Sequence, residues 1–404
     1  MALEPSGAAK RDSAAARTTA AAGGVRAVSA SIDLAALAHN AREARRVSGG
    51  RELFGVVKAD AYGHGAAPVA RALVAAGCGQ LAVLTVDEAS ALRDEGITTP
   101  ILIMRGVWDA AEAREAAARE LTPVVHDADG LARAAEAAPA SRPLPIHVEV
   151  DTGMRRMGVD PRDALALLTR AAALPGVDLD GVFTHFARAD EPDLAPSLEQ
   201  VRRFRALLER ARTQGIEPAW VHIANSAGVL NAGVLADELP QANAVRPGLM
   251  LYGVRPAPHL DAADLRPVMT LKARVAAIHR VAPGEAVGYG ATFRAEAETR
   301  VATLALGYAD GVPWTAAPEG RVWLGGALRP LAGRVSMDYT AVRIDDAPVA
   351  VGDEAVFFGV TEDGPLPVED AARRAGTLAY ELLVRVGARV PRRFEGAGGA
   401  SRSD

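Results

Sequence analysis

The chain has 404 residues, 49% of them hydrophobic and 24% charged, and a formal net charge of −5. This composition is typical of a globular protein with one large and one smaller domain. The slight acidity argues against nucleic-acid binding, which normally needs a basic face. No stretch approaches the roughly 20 apolar residues of a membrane span. The single cysteine, Cys78, excludes an internal disulfide and is compatible with a reducing compartment.

Both ends of the chain lack hydrophobic periodicity. Residues 1–28 are rich in Ala, Ser, Gly and Arg and lack the compact apolar core of a signal peptide. Residues 395–404 have a similar small and polar composition. We therefore predict a disordered tail at each end and expect a cytoplasmic protein.

Between these tails, short apolar runs alternate with segments of helical periodicity from Ser31 to about Val254. This alternation predicts an α/β fold, an N-terminal (β/α)8 TIM-type barrel over residues 29–264. A doubly wound open sheet is the alternative, although the glycine-rich turn that binds dinucleotides does not follow the first strand. The eight predicted strands are Leu53–Lys58, Leu81–Val86, Ile101–Met104, Thr122–Val125, Pro145–Val150, Gly181–Phe186, Trp220–Ile223 and Ala244–Met250. The predicted helices include Ala66–Ala76, Glu88–Glu95, Ala110–Glu120, Gly130–Ala138, Arg162–Ala173 and Leu198–Gln214.

The pattern changes after about Leu265, where Val, Gly and Pro punctuate short strands and the helical periodicity ends. We predict a C-terminal all-β domain over residues 265–394, with one late helix near Val368–Ala375. Its predicted strands are Thr270–Val281, Arg300–Leu306, Arg321–Leu324, Tyr339–Ile344 and Glu354–Gly359.

Polar and cationic residues follow the predicted barrel strands at the C-terminal ends, where barrel enzymes have their active sites. Lysine occurs only at positions 10, 58 and 272, so Lys58 suggests a need for an amine, which forms Schiff bases as arginine cannot. An exposed amine is the alternative for a lone lysine. Ser226 and the amides of Gly248 and Leu249 follow strands seven and eight, where barrels often bind phosphate. The residues of this rim are Lys58, Tyr62, Asp151, Arg156, His185, Asn225, Ser226 and Arg246.

Several segments resemble the alanine racemase family. VVKADAYGHG is similar to the motif around that family's cofactor lysine, with Lys, Asp, Tyr, Gly and Gly all in place. The resemblance extends from about Ile32 to Pro391. It rests further on VDTGMRRMG, THFARADE, HIANSAG, VRPGLMLYG, VGYGATF, LGYADG, GRVSMD and RVPR.

The resemblance implies a pyridoxal 5′-phosphate enzyme that racemises an amino acid, with alanine as the first expectation. Lys58 would hold the cofactor as a Schiff base and act as one base, and Tyr289 of the partner subunit would act as the other. The implied working unit is therefore a head-to-tail homodimer with composite sites. The cofactor would also contact Tyr62, Arg156, His185, Asn225, Ser226, Arg246, Gly248 and Leu249, and the substrate would contact Arg156, Met337 and Tyr308.

Physical chemistry supports these roles. Racemisation needs two bases on opposite faces of a planar carbanion, and Lys and Tyr can serve if their pKa values of about 10 fall. Nearby cations, for which we consider Arg246 and His185, would lower them. Arginine does not give up a proton, so a ring nitrogen facing Arg246 stays unprotonated, which discourages transamination. The other histidines, including His126, show no metal-ligand spacing, and we predict no metal site.

The chain departs from the family pattern at three positions. Many members have a carbamylated lysine where this chain has Glu149. Strand alternation places Glu149 on the same face as Asp151. We hypothesise that Glu149 braces Arg156 directly, with a structural ion pair as the alternative. Trp314 replaces an arginine and Ala388 a tyrosine.

These departures leave the substrate open. Alanine racemisation for peptidoglycan precursors is the main interpretation, and a racemase for serine or another amino acid in a specialised pathway is the alternative. A pyridoxal-phosphate decarboxylase and a non-catalytic cofactor carrier are less favoured. Arg246, in place of an acidic residue, argues against the first, and Tyr289 argues against both.

Overall fold

We describe the fold from a computed structural model that covers residues 27–139, 141–231 and 238–396. Most of both predicted tails, residues 1–26 and 397–404, lies outside the described residues. None of the described helices is both long and apolar enough to cross a membrane.

Eight parallel strands close into a barrel, which confirms the predicted fold. The barrel closes where the first of its strands pairs with the last, Glu52 opposite Ala244 and Leu53 opposite Val245. In chain order the strands are β2 (Glu52–Val56), β3 (Gln80–Val83), β4 (Ile101–Ile103), β5 (Thr122–Val125), β6 (Leu144–Glu149), β7 (Val177–Phe183), β8 (Trp220–His222) and β9 (Ala244–Val245). Each of the eight overlaps its predicted strand. The largest differences are at β9, which ends at Val245 and not at the predicted Met250, and at β7, which begins at Val177 and not at the predicted Gly181.

Helices follow the strands, and short polar side chains begin several of them. Thr85 forms a capping box with Glu88, and Asp109, Asp127 and Asp160 accept hydrogen bonds from the first amides of their helices. The helices are α1 (Leu34–Val47), α2 (Lys58–Gly63), α3 (Ala66–Ala75), α4 (Val86–Asp94), α5 (Ala110–Ala118), α6 (Ala128–Ala137), α7 (Pro161–Ala173), α8 (Ala195–Arg212) and α9 (Ser226–Leu230).

The C-terminal region is built on β-sheets, as predicted. The long strand β10 (Met269–Val281) is central to them and pairs with three other strands of this region or of the N-terminus. The remaining strands are β11 (Ala286–Val287), β12 (Phe293–Arg294), β13 (Thr299–Leu304), β14 (Arg321–Leu324), β15 (Ala327–Pro330), β16 (Thr340–Arg343), β17 (Glu354–Thr361), β18 (Gly364–Leu366) and β19 (Arg392–Glu395). Two helices, α10 (Val368–Arg374) and α11 (Ala379–Val384), come late in the chain.

The first described strand belongs to the large sheet of the C-terminal region, which contains β10, and not to the barrel. β1 (Val28–Asp33) pairs antiparallel with β10 and parallel with β19. Its residues alternate between buried and partly exposed, as expected for a strand with one face in the core. The described part of the chain thus starts in the C-terminal sheet and enters the barrel through α1, an arrangement that the sequence pattern did not predict.

Candidate active site

Lys58 lies just beyond the end of β2, at the first residue of a strained turn. The four residues that follow it, Ala59 to Tyr62, all have positive φ angles between 52° and 54°. A left-handed conformation costs roughly 1–2 kcal/mol for each residue with a Cβ atom. The predicted strand extended to Lys58, whereas the observed strand ends at Val56 and the chain turns at once.

Several hydrogen bonds hold this turn. Glu88 Oε1 accepts the amide of Ala59 at 2.7 Å, and Asp60 Oδ1 accepts the amide of Ala66 at 2.7 Å. The Nδ1 atom of His64 lies 2.9 Å from the carbonyl oxygens of both Ala61 and Tyr62. Strain that is held by so many contacts is characteristic of functional sites.

The environment of Lys58 favours its neutral form. Burial lowers the pKa of the amine, the positive charge of Arg156 lowers it further, and Glu88 opposes the shift. Only the neutral amine is a nucleophile and a base. Arg156 itself is exposed in the single chain, on the loop after β6.

Ser226 organises a small backbone cradle after β9. Its Oγ accepts the amides of Gly248 at 3.0 Å and of Met250 at 3.2 Å. With both acceptor positions used, the Ser226 hydroxyl proton is available to an anion. A Cβ atom on Gly248 would lie only 2.4 Å from the Tyr62 hydroxyl oxygen, so any larger residue would displace the Tyr62 side chain.

Two other predicted cofactor contacts have structural roles here. Asn225 caps α9, because its side chain accepts the amide of Gly228 at 3.0 Å. Leu249 is 1% exposed and begins a short 3-10 helix. The second amide that bonds to Ser226 is that of Met250 rather than Leu249.

Arg246 is almost completely buried, with 3% exposure, and lies over the ring of Phe183 at 4.5 Å. Its Nη2 donates to the carbonyl oxygen of Thr184 at 2.9 Å and lies 3.3 Å from His185 Nδ1. Burial lowers the pKa of Arg246 to about 10, with the anionic Glu149 raising it and Arg156 lowering it. The guanidinium therefore stays charged at neutral pH.

His185 is neutral in this site. Burial and the positive charges of Arg246, Arg156 and Lys58 lower its pKa well below 6.5. The expectation that His185 is a cation that lowers the pKa of the bases is therefore wrong. A neutral imidazole can still accept a hydrogen bond from Arg246.

Glu149 is 5% exposed at the end of β6, and its Oε2 lies 3.0 Å from Nε2 of His126. In the described part of the chain, Glu149 and Arg156 form no ion pair within 4.0 Å. The charge of Glu149 acts on Arg246, whose pKa it raises. Direct bracing of Arg156 by Glu149 therefore stays a prediction.

The predicted residues of the C-terminal region are exposed in the single chain. Tyr289 is 73% exposed, Met337 53% and Tyr308 44%. Tyr308 and Met337 are neighbours, because the amide of Ala309 donates to the Met337 carbonyl oxygen at 3.0 Å. Among the described residues, Tyr289 makes no side-chain hydrogen bond or ring contact to the barrel rim.

Trp314 is 54% exposed, and the Arg334 guanidinium lies 5.5 Å from its ring centre. Arg334 also borders Gly290, the residue after Tyr289. A cation thus lies close to the position where the sequence lacks the family's arginine. Ala388 is exposed.

Two buried histidines beside Arg246, His147 and His222, were missed by the sequence analysis. His222 Nδ1 accepts from Arg246 Nη1 at 2.6 Å. The available signal was strand alternation, which places His147 on the same face of β6 as Glu149. Within the described ranges, no group of three or more His, Cys, Asp or Glu side chains is arranged to hold a metal ion.

The fold and the rim define a β/α-barrel protein with a strand-end lysine, a buried arginine and a serine that accepts two backbone amides. Two family models match the chain, "Alanine racemase, N-terminal domain" over residues 32–256 and "Alanine racemase, C-terminal domain" over residues 268–394. The chain belongs to the alanine racemase family, whose members depend on pyridoxal 5′-phosphate.

Relatives and solved structures agree with this family assignment. An alanine racemase of Sorangium cellulosum is 41% identical over 90% of this chain and 97% of its own length. The crystal structure of alanine racemase from Streptomyces lavendulae has a TM-score of 0.86 and 38% identity, covering 92% of this chain and 97% of that one. That of the biosynthetic alanine racemase from Pseudomonas aeruginosa has a TM-score of 0.81 and 39% identity, covering 91% and 99%.

Proposed function

We propose that this protein is an isomerase that interconverts L- and D-alanine with pyridoxal 5′-phosphate held at the Lys58 rim. The observation that carries the proposal is the combination of a lysine whose pKa is lowered and a buried charged arginine in one family-defining barrel site. The residues present fit the cofactor. Lys58 offers an amine for its aldehyde, and Ser226 offers a free hydroxyl proton beside Gly248 for its phosphate.

When bound, the cofactor supplies an electron sink for the substrate's α-carbon. In the proposed mechanism, the Lys58 amine removes or returns the α-proton on one face, and the Tyr289 hydroxyl does so on the other. Arg246, with a pKa of about 10, keeps its protons at neutral pH and can only donate a hydrogen bond to a ring nitrogen. His185 is neutral and accepts from Arg246. Arg156, Met337 and Tyr308 are assigned to the substrate, and Tyr62 and Leu249 to the cofactor site.

The working unit in this proposal is a homodimer with composite sites. Tyr289, Tyr308 and Met337 are exposed in the single chain, and large aromatic side chains such as Trp314 are exposed near them. A second copy that places this surface on the barrel rim would bring the Tyr289 hydroxyl opposite Lys58. The partners are then a small-molecule amino acid and a second copy of the chain.

We also propose a cytoplasmic enzyme that supplies D-alanine for peptidoglycan precursors. The domain division at residue 264 stays part of the proposal. It is supported by the last barrel strand ending at Val245 and by β10 beginning at Met269. The pairing of β1 with β10 ties the first strand to the C-terminal unit.

A racemisation panel tests the substrate. The purified protein with cofactor is incubated with each L- and D-amino acid in deuterium oxide, and both inversion and α-deuteration are measured. We expect alanine to be converted in both directions and the Lys58→Ala variant to be inactive. Faster turnover of serine than of alanine would show that serine is the preferred substrate. Release of carbon dioxide without inversion would show that the reaction is a decarboxylation and not a racemisation.

A further inference from the structure

A continuous line of hydrogen bonds leads from Arg246 into the barrel interior. Arg246 Nη1 donates to His222 Nδ1 at 2.6 Å. The other ring nitrogen of His222, Nε2, lies 2.8 Å from Nδ1 of His147. His147 Nε2 lies 3.4 Å from Oδ2 of Asp180 on β7. Both histidines have no exposed surface, whereas the Asp180 side chain is 27% exposed.

The guanidinium fixes the proton positions along this line. Arginine only donates, so His222 Nδ1 must accept and His222 must carry its proton on Nε2. That proton points at His147 Nδ1, which must accept, so His147 also carries its proton on Nε2. This last proton is donated to Asp180, which is an acceptor when ionised. Burial, together with the charge of Arg246, lowers the pKa of both histidines and keeps them neutral.

A bulge at Asp180 and a glycine next to it make room for this line of hydrogen bonds. The pairing of β6 with β7 shifts register between Ile146 and His147, which leaves Asp180 as the extra residue of a bulge. Bulges of this kind redirect a side chain. The next residue is Gly181, where a Cβ atom would lie 2.5 Å from the His147 ring. Phe183 stacks on the His222 ring at 4.6 Å with an interplanar angle of 17°.

The same line leaves two of the five N–H donors of Arg246, the Nε–H and the second Nη1–H, without an acceptor among the described residues. Nη1 is bound to His222, and Nη2 is bound to the Thr184 carbonyl oxygen and lies near Ile223 O and His185. Within the described residues, Nε of Arg246 makes no hydrogen bond. A guanidinium held at both terminal nitrogens has a fixed plane, so its remaining N–H groups have fixed directions.

We propose that Asp180, His147 and His222, the Arg246 relay, are positioning residues that fix the plane of the Arg246 guanidinium and compensate its buried charge. This inference rests on the proposed function, in which Arg246 faces the ring nitrogen of the cofactor. Through the relay, Arg246 Nη1 faces the partial negative charge of His222 Nδ1 and not the full charge of a carboxylate. A carboxylate in direct contact with Arg246 would form an ion pair there, whereas the relay keeps Asp180 two imidazole rings away.

The proton positions are tested by nitrogen NMR of protein labelled with ¹⁵N-histidine, which has only 8 histidines to assign. Assignment uses His147→Gln and His222→Gln. With and without cofactor, we expect both His147 and His222 to be neutral and protonated on Nε2. A doubly protonated ring at neutral pH, or a proton on Nδ1 of either residue, would overturn the relay.

The function of the relay is tested with Asp180→Ala, Asp180→Asn and the matched control Asp178→Asn, an exposed aspartate on the same strand. We expect Asp180→Ala to lower kcat by about tenfold with little change in KM, and to raise the fraction of turnovers ending in transamination. Asp180→Asn keeps an acceptor and should lose less. The affinity of the cofactor-free protein for pyridoxal phosphate should fall only for Asp180→Ala.

The outcomes separate two failures. If the wild-type protein does not racemise any amino acid, the proposed function fails, while the NMR result still decides whether the relay exists. If the wild type racemises and Asp180→Ala matches Asp178→Asn in kcat, transamination and cofactor affinity, the positioning role is wrong. Should Asp180→Ala not fold, the smaller change Asp180→Asn must still raise the transamination fraction above the control, or the role is wrong.

Discussion

Acidification should loosen the turn that follows Lys58, because His64 holds that turn in its neutral form. His64 Nδ1 lies between the carbonyl oxygens of Ala61 and Tyr62, so it is the protonated nitrogen. Its Nε2 is buried without a hydrogen-bond partner. A second proton would have to sit on this unpartnered atom. The pKa of His64 is accordingly lowered from 6.5 to about 4, mainly by burial and in small part by the charge of Arg392, while the hydrogen bonds to Tyr62 and Ala61 oppose the shift.

The magnitude follows from linkage. As the pH falls below 6.5, the unfolded chain binds a proton at His64 and the native chain does not, until the pH reaches about 4. The contribution of His64 to stability is therefore complete above pH 6.5 and is lost as the pH falls towards 4. At about 1.4 kcal/mol for each tenfold change in proton affinity, the loss is about 3 kcal/mol.

A substitution isolates this residue from the other buried histidines. His64→Asn places an amide nitrogen near the Nδ1 position, so it keeps the donor but does not titrate. Urea unfolding between pH 6.5 and 4 should show a smaller loss of unfolding free energy for His64→Asn than for the wild type. As the pH is lowered, the wild type should lose the visible absorbance of the bound cofactor at a higher pH than His64→Asn does. Exposed His259 provides the control variant, His259→Asn. Equal pH slopes for wild type and His64→Asn would refute the reasoning.

Three other predictions concern the cofactor and the bases. Gly248→Ala should weaken pyridoxal-phosphate binding at least about tenfold in a titration of cofactor-free protein, since its Cβ would lie 2.4 Å from Tyr62 Oη. Unchanged affinity would show that the cradle is elsewhere. Glu149→Gln, which keeps a contact to His126, should lower kcat, whereas the control Glu136→Gln at an exposed position should not. Equal kinetics for the two variants would show that the charge of Glu149 has no role. Tyr289→Phe should abolish α-deuteration of one alanine enantiomer more than of the other, and equal losses would contradict two distinct bases.

The barrel was predictable because its strands have a simple physical signature. Parallel barrel strands are buried on both faces, so they appear as short apolar runs between helical segments. Strands such as Ile101–Ile103 and Thr122–Val125 are entirely buried and were placed almost to the residue. The rule that strand ends meet at one rim predicted that Lys58, Ser226 and Arg246 lie together, and the charges of Lys58 and Arg246 both act on His185.

The missed elements depend on contacts between distant parts of the chain. β1 is stabilised by β10, about 240 residues away in sequence, and its alternation is too short to be recognised alone. The left-handed turn at Ala59–Tyr62 contradicts local propensity, because none of its four residues is glycine. Hydrogen bonds from its backbone to Glu88, and from His64 to its carbonyl oxygens, stabilise it. Local sequence patterns carry no information about such long-range compensation.

The relay beside Arg246 shows the same limit in the chemistry of the site. From sequence, His147 is one polar residue in an apolar strand, and a buried structural histidine is its ordinary interpretation. Its neighbours come from three strands, and the space for its ring comes from Gly181 on the adjacent one. The lowered pKa of His222 follows from burial first and from Arg246 second, so the arginine helps to keep the histidine neutral. A buried guanidinium that stays charged and oriented needs hydrogen-bond acceptors. In the proposed relay these acceptors are neutral imidazoles, and the carboxylate of Asp180 lies at the far end of the line. No carboxylate therefore has to contact Arg246 directly.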